Sequence, residues 1–329
     1  MMRKIRFGIL GCGRIAGEFA ADIAVTKNCE VLAAGSRTAK KAKTFAEKLG
    51  IKKWYGSYEQ LVNDADLDII YVATPHTMHM ENTLQSIRAG KAVLCEKPIA
   101  INAMQFRRMQ RAAKVKGVFL MEGMWTRFFP SIRLIKKWLK EKIIGDVLEL
   151  KADFGVHFRL GKKHRIRNPE LGGGALLDLG IYVVSMASMV YGRQPKKIIS
   201  IVHKEKTGVD DQSSIVFGYE GGRTASLSCS CRFSMKQRLC IYGTKGMIIV
   251  PDDFYCPSRV ILELEGKREK IYDFAHRGSG FEYEAEHVAD CLRKSKTESD
   301  IMPLDESGVI MKTMDKIRSR WKLKYPDEK

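Results

Sequence analysis

The first 120 residues alternate short apolar runs with stretches of helical period. Ile5–Leu10 is apolar and ends in glycines, as a buried parallel strand does. Ile15, Phe19 and Ile23 recur at helical spacing between Arg14 and Val25. Glu30–Ala34 predicts a second strand, and Ala39–Leu49 a basic amphipathic helix. Strands follow at Asp68–Ala73 and Ala92–Cys95, with a helix from about His79 to Ala89 between them. Met104–Ala113 reads as a further helix and Gly117–Met121 as a further strand. Strands alternating with helices imply βαβ crossovers and a parallel sheet covered on both faces.

Past residue 123 the rhythm changes. A helix is predicted near Ser131–Lys140, a strand over Val147–Phe154, and a helix near Ala175–Val190 after Gly172-Gly173-Gly174. Seven short alternating runs follow between Lys197 and Tyr272 with no helix among them, which predicts a mostly antiparallel sheet. Helices near Tyr283–Arg293 and Asp305–Arg320 close the chain. The expected fold is a Rossmann-type α/β domain over residues 1–122, then an α+β domain over 123–329 with a large open sheet.

The composition is ordinary for a globular chain: 45% hydrophobic and 29% charged residues exclude a disordered or collagen-like class. No run of about 18 apolar residues stands out, so no membrane span is expected. The basic, apolar N-terminus is broken by Gly11, Gly13 and Arg14 and reads as a strand and turn, not a signal peptide. Charge is the unusual feature: 57 Lys and Arg against 38 Asp and Glu give +19. No zinc-finger or RRM signature accompanies it, so a solvated basic surface is expected and no nucleic-acid partner. Eight scattered cysteines in a chain of 329 residues fit free thiols in a cytoplasmic protein.

Gly11-Cys12-Gly13-Arg14-Ile15-Ala16 fits G-x-G-x-x-G/A between a strand and a helix. Gly11 permits the tight turn, Gly13 lets a pyrophosphate approach the backbone, and Ala16 allows close helix–strand packing. The phosphates then sit at a helix N-terminus. An NAD site usually carries Asp or Glu at the end of the second strand. Here that strand ends Gly35-Ser36-Arg37, with Lys40, Lys41 and Lys43 beyond. Ser36 can donate a hydrogen bond and Arg37 can pair with a 2′-phosphate, so NADP(H) is expected over NAD(H).

Glu96-Lys97-Pro98 ends a parallel strand, where ligands of doubly wound sheets bind. Asp178 and Tyr182 are four apart on a predicted helix and share a face. A Tyr182 hydroxyl can serve an oxygen whose charge changes during hydride transfer, given a nearby cation to lower its ordinary value near 10. His76-x-x-His79 has no third ligand at zinc spacing, so no metal is expected. Lys162-Lys163-His164-Arg165-Ile166-Arg167 reads either as a solvated basic loop or as a lid for an anionic substrate.

The glycine loop, Ala73-Thr74-Pro75 with His76 and His79, Glu96-Lys97-Pro98, and Gly173-Gly174-Ala175-Leu176-Leu177-Asp178 with Tyr182 occur in the order found in one family. The chain resembles the Gfo/Idh/MocA oxidoreductases over essentially its whole length. Glu122–Pro130, Thr207–Asp211 and Gly243–Gly246 resemble the dimeric dihydrodiol dehydrogenase, or NADP-dependent D-xylose dehydrogenase, subgroup. The resemblance implies that Lys97 is catalytic, with Tyr182 in the place of the inositol dehydrogenases' His, and Asp178 beside it. It implies that Thr74, Pro75, His76, His79, Glu96 and Lys97 lie at the cofactor. Trp125, Arg127, Phe154 and His157 fall where the subgroup places substrate-pocket residues. It implies hydride transfer between a nicotinamide and a sugar or cyclic diol, and a homodimer or homotetramer built through the second sheet. A ketose or anhydro-sugar reductase and a non-catalytic nucleotide sensor are the competing readings.

Overall fold

The computed structural model describes residues 3–158, 161 and 164–328. It divides into two compact units. The first holds the chain up to Phe128 together with His276–Gly308, and the second holds Phe129–Ala275 together with the chain from Val309. The sequence places one cut, between residues 122 and 123. The chain instead returns to its first unit near the end, because the buried face of a late helix packs there, and no local pattern announces which unit a terminal helix joins.

The first unit opens with β1 (Ile5–Leu10), α1 (Arg14–Ala24), β2 (Cys29–Gly35), α2 (Ala39–Leu49) and β3 (Lys53–Tyr55). It continues with α3 (Tyr58–Val62), β4 (Ile69–Val72), α4 (His79–Arg88), β5 (Ala92–Glu96), α5 (Ala103–Lys116) and β6 (Leu120–Gly123). The strands form one sheet in the order β3-β2-β1-β4-β5-β6, and every pair is parallel. β4 and β5 are buried at every position, as a sheet covered on both faces requires. Thr38, Ser57 and Asn102 begin α2, α3 and α5 by accepting a backbone N–H from the first turn. The sequence reading misses β3 and α3, which at three and five residues are too short to show a period.

The second unit has α6 (Pro130–Lys140), β7 (Val147–Gly155), α7 (Ile181–Tyr191), β8 (Lys197–Lys204), β9 (Asp210–Gly218) and β10 (Thr224–Ser230). β11 (Leu239–Gly243), β12 (Gly246–Val250), β13 (Arg259–Leu264) and β14 (Lys270–Asp273) complete it. Its sheet runs β14-β13-β12-β11-β7-β10-β9-β8, antiparallel throughout except for the parallel pair β7 and β10. The segment Pro169–Tyr191 is long and apolar enough to cross a membrane, against the expectation from sequence, but 89% of its window is buried within the protein. It is a core helix, apolar all round because it is enclosed all round.

Two further helices follow, α8 (Phe281–Arg293) and α9 (Leu304–Arg320). α8 completes the first unit. Its Phe281 meets Phe19 of α1 edge-on at 6.0 Å, and Ala285, Val288 and Ala289 are fully buried. Asp22 of α1 accepts the backbone N–H groups of Ser279, Gly280 and Phe281 at 2.9–3.0 Å. That carboxylate caps α8 from another helix, a favourable place for a negative charge.

Candidate active site

Four neighbouring parallel strands of the first sheet, in the order β2-β1-β4-β5, end at one edge. Beyond their carboxyl ends come Ser36 and Arg37, the loop from Gly11 to Gly13, Thr74 to His76, and Lys97 in that order. Parallel topology thus gathers residues up to 86 positions apart along one ligand-binding edge.

Gly11 has φ +108°, and a Cβ there would lie 2.7 Å from the Ala73 carbonyl oxygen. Only glycine fits that turn. Gly13 begins α1 with no side-chain cap, and nothing lies within 4 Å of where its Cβ would be. The space at Gly13 is open, so a pyrophosphate can approach the start of the helix. Ala16 is fully buried, Ile15 is half-buried, and Arg14 is exposed and paired with Glu18.

Ser36 is buried, with its N–H on the Tyr55 carbonyl at 3.1 Å. Arg37 lines an open cavity with Thr38, Trp54, Tyr55 and Ser57. Asp64, an acid at that cavity, is already held by Lys53 at 3.1 Å and the Tyr55 hydroxyl at 2.9 Å. A neighbouring groove is lined by Cys12, Thr38, Lys40, Lys41 and Lys48. Burial pushes the Cys12 thiol up to about 11 against the opposing charge of Lys41, so it stays protonated at neutral pH. Arg37, Lys40 and Lys41 thus surround the place where a 2′-phosphate belongs, and these residues fit NADP(H).

Behind this edge lies a layer of bracing contacts. Asn82 donates to the Thr74 hydroxyl at 3.0 Å. His79 is wholly buried, with Nε2 2.9 Å from the Thr74 carbonyl and Nδ1 2.8 Å from the Pro98 carbonyl. The ring ties the loop after β4 to the Lys97-Pro98 turn, whose peptide bond is cis. His79 therefore positions these loops from within, a correction to its reading as a cofactor contact. His76 is also buried, 5.7 Å from the His79 ring, and the pair gathers no third metal ligand among the described residues. Glu96 accepts the Tyr71 hydroxyl at 2.5 Å and the Lys97 N–H at 3.2 Å, so it too works from behind the edge.

Glu122 is fully buried and accepts the Ile99 N–H at 3.0 Å and the Ser307 hydroxyl at 2.6 Å. Burial pushes its carboxyl up while those donors and Arg127 pull it down. Arg127 is 3% exposed and ion-paired with Glu306. That pairing corrects its assignment to a substrate pocket, since an aromatic-rich segment hides a structural guanidinium from sequence reasoning. Trp125 is half-buried and stacks on Phe281 at 4.3 Å.

In the second unit, Gly174 has φ +119°, and a Cβ there would lie 2.3 Å from Asp210 Oδ1. Asp210 Oδ2 accepts the Leu176 N–H at 2.6 Å. This buried carboxyl thus anchors the turn that follows. Leu176–Gly180 is a π-helical turn leading into α7, where the sequence predicts unbroken α-helix. Single π turns recur at functional sites because they re-aim side chains. Asp178 lies in the π turn and Tyr182 in the first turn of α7, both buried.

Asp178 accepts Arg165 at 3.0 Å, and Arg167 meets Glu205 at 3.1 Å, while Ile166 is buried. These residues of the expected basic loop are anchored and partly neutralised by acids; Lys162 and Lys163 lie outside the described residues. Tyr182 packs edge-on to Phe154 at 5.1 Å, and Phe154 stacks on Tyr255 at 4.7 Å. Tyr255 is a member of this aromatic wall that sequence reasoning misses, since it lies in a loop with no period. His157 follows β7 and is exposed, its N–H 3.3 Å from the Ser234 hydroxyl.

Residues 5–124 match the family described as "Oxidoreductase family, NAD-binding Rossmann fold", and residues 132–249 match the GFO/IDH/MocA C-terminal domain. The chain belongs to the Gfo/Idh/MocA oxidoreductases. It is 40% identical over 332 residues to the trans-1,2-dihydrobenzene-1,2-diol dehydrogenase of Xenopus laevis, covering 98% of this chain and 99% of that one. The Bos taurus enzyme of the same name is 36% identical over 335 residues, covering 99% of each. Among solved structures, the aldose-aldose oxidoreductase of Caulobacter crescentus, complexed with glycerol, superposes with a TM-score of 0.87 at 25% identity, covering 97% of each chain. KijD10, a 3-ketoreductase from Actinomadura kijaniata in complex with NADP and TDP-benzene, gives 0.86 at 25% identity, covering 96% of this chain and 98% of that one. As a member of this family, the chain is an oxidoreductase with a nicotinamide-dinucleotide domain.

Proposed function

We propose that the chain is an NADP(H)-dependent oxidoreductase acting on a secondary alcohol or carbonyl of a sugar or cyclic diol. One observation carries this reading: the glycine loop, Arg37 and Lys97 end neighbouring parallel strands at a single edge. The full-length relatives that act on a dihydrodiol support the substrate class. The bound dinucleotide supplies the hydride acceptor or donor. The uncapped N-terminus of α1 holds its pyrophosphate, and Arg37 with Lys40 and Lys41 its 2′-phosphate. Lys97 in the first unit and Tyr182 in the second are the groups assigned to proton transfer, and Asp178, fixed on Arg165, orients Tyr182's turn.

In the second unit, Phe154 and Tyr255 offer apolar faces that suit a ring-shaped substrate. The ketoreductase neighbour favours the reductive direction on a keto-sugar as a second reading. We place the oligomer contact on the outer face of the second sheet, where Ile199 and Val216 are paired across β8 and β9 and exposed, with Ile201 77% exposed on the same face. The eight free thiols support a reducing, cytoplasmic setting. The test is a panel of aldoses, ketoses and cyclic diols, following NADPH consumption and NADP⁺ reduction. Turnover with a sugar or diol is expected, and no turnover with any of them would overturn the proposal.

A further inference from the structure

Three carboxyl groups of the first unit gather at the first turn of α8: Asp22 on α1 caps that turn, Glu284 sits in it, and Glu96 at the end of β5 is held by Tyr71, whose ring stacks on Phe19 beside Phe281. Their hydrogen bonds differ sharply. Asp22 accepts three backbone N–H groups and the Ser279 hydroxyl. Glu96 accepts the Tyr71 hydroxyl on one oxygen and the Lys97 N–H on the other. Glu284 is 0% exposed, and among the described residues no group donates to either of its oxygens.

Donors decide which of these acids keeps its charge. A buried carboxylate needs hydrogen-bond donors to replace the water it has lost. Asp22 and Glu96 have them, and Glu284 has none. Two negative charges, on Glu96 and Asp22, also face Glu284. Neighbouring carboxyl groups that cannot all ionise share out the protons, and the worst-solvated one keeps its own. The other groups around it do not reverse this. Tyr71, electrostatically coupled to Glu284, is neutral and already donates to Glu96.

We propose that Glu284 carries a proton at neutral pH and, as a neutral acid, is a positioning residue for the Glu96-Lys97 turn. Its hydroxyl turns to the Glu96 carboxylate, the acid that faces it at the end of β5. Glu96 is thereby held from three sides, by Tyr71, by the Lys97 N–H and by Glu284, and the start of the Lys97-Pro98 turn is held with it. The same proton limits the cluster to the charges that have donors. Desolvation, with the charges of Glu96 and Asp22 behind it, holds the Glu284 carboxyl well above the ordinary carboxylate range. The role rests on the assignment of Lys97 to proton transfer, but the presence of the proton does not.

Infrared spectroscopy of the full-length protein at pH 7 tests the proton directly. The carbonyl stretch of a protonated carboxylic acid is expected in the wild type, and the difference spectrum against Glu284→Gln loses one such band. Absence of the band in the wild type, or a band of equal intensity in Glu284→Gln, overturns the proposal. Positioning is tested by turnover set against NADPH affinity. Glu284→Leu removes the donor and is expected to lower kcat about tenfold with NADPH Kd unchanged, while Glu284→Gln, which can still donate, recovers most of that loss. Wild-type kcat in a folded Glu284→Leu variant overturns the positioning role. If Glu284→Leu does not fold, a Glu284→Gln variant with kcat as low as that of Lys97→Met overturns it. A fully active Lys97→Met would refute the reading of Lys97, and the positioning role with it, and leave the infrared result standing as evidence for the proton.

Discussion

At the carboxyl edge of the first sheet, the groups offered to a ligand are mostly main chain. In the turn that carries Asp178 and Tyr182, they are side chains. The glycine loop works because Gly11 accepts φ +108° and Gly13 leaves the start of α1 bare. The second unit works because Arg165 fixes Asp178, Asp210 pins Leu176, and Phe154 with Tyr255 walls in Tyr182. A main-chain site fails when an atom is added. A side-chain site fails when one is removed. The two regions therefore answer differently to the same kind of mutation.

The largest effects belong to the groups assigned to chemistry. Lys97→Met and Tyr182→Phe are each expected to lower kcat by about 10²-fold or more if both move the proton. Melting temperatures should change little, and Tyr182→Phe should leave NADPH affinity unchanged. Near-normal kcat in both variants would remove them from the mechanism and leave the first edge as a binding site alone.

Asp210 sharpens the contrast through pH. Burial raises its carboxyl to about 6 from 3.8, with Asp211 adding to the rise and the Leu176 N–H and Arg318 opposing it. The folded state thus prefers the proton more than the unfolded state does. The stability this contributes is fully present below about pH 3.8 and is lost as pH rises through about 6. The size is up to about 3 kcal/mol for a shift of roughly two units. Asp210→Asn keeps an acceptor for Leu176 and cannot ionise, so it should escape that loss. Urea unfolding at pH 5 and pH 7.5 measures it. An equal pH dependence in wild type and variant would show that Asp210 does not govern the turn's stability.

Gly11 and Gly13 separate two reasons for glycine within one loop. Gly11→Ala places a Cβ 2.7 Å from a backbone oxygen at a strained φ, and should cost about 1–3 kcal/mol of stability besides NADPH binding. Gly13→Ala meets no atom within 4 Å and should fold normally, yet weaken NADPH about tenfold by crowding the pyrophosphate. Thermal melts and NADPH fluorescence titrations distinguish them. Equal stability losses in both variants would mean that the loop is only a packing feature.

How far each region can be read from sequence follows from the same contrast. A main-chain site imposes rules on nearby residues: glycine where φ is positive, a strand before it and a helix after it. So Gly11, Gly13, Ala16 and Arg37 are legible, as are the alternating strands that place them. Side-chain sites are built from distant partners. Nothing in the run around Arg165 announces that it reaches Asp178, and nothing near Arg127 announces Glu306, 179 residues away. The π turn is invisible because its apolar residues satisfy a helical period equally well. The return of α8 to the first unit depends on Asp22 and Phe19, which no local pattern links to residue 281.

Arg37 gives the most selective expected change, one that leaves stability untouched. It ends the second strand where an NAD site carries an acid, and it shares its cavity with Trp54 and Tyr55. An exposed guanidinium pairs with a phosphate through charge and two parallel hydrogen bonds, worth more than a neutral contact but screened by water and salt. Arg37→Asp should therefore weaken NADPH about tenfold or somewhat more and leave NADH unchanged or slightly tighter, because the new carboxylate can accept the ribose 2′-hydroxyl. The loss for NADPH should shrink as salt rises, since Lys40 and Lys41 supply the remaining field beside Cys12. Titrations of both coenzymes at two salt concentrations decide it. An equal loss for NADPH and NADH would place Arg37 at the adenine or the turn, and the preference for the 2′-phosphate would then have to come from the lysines alone.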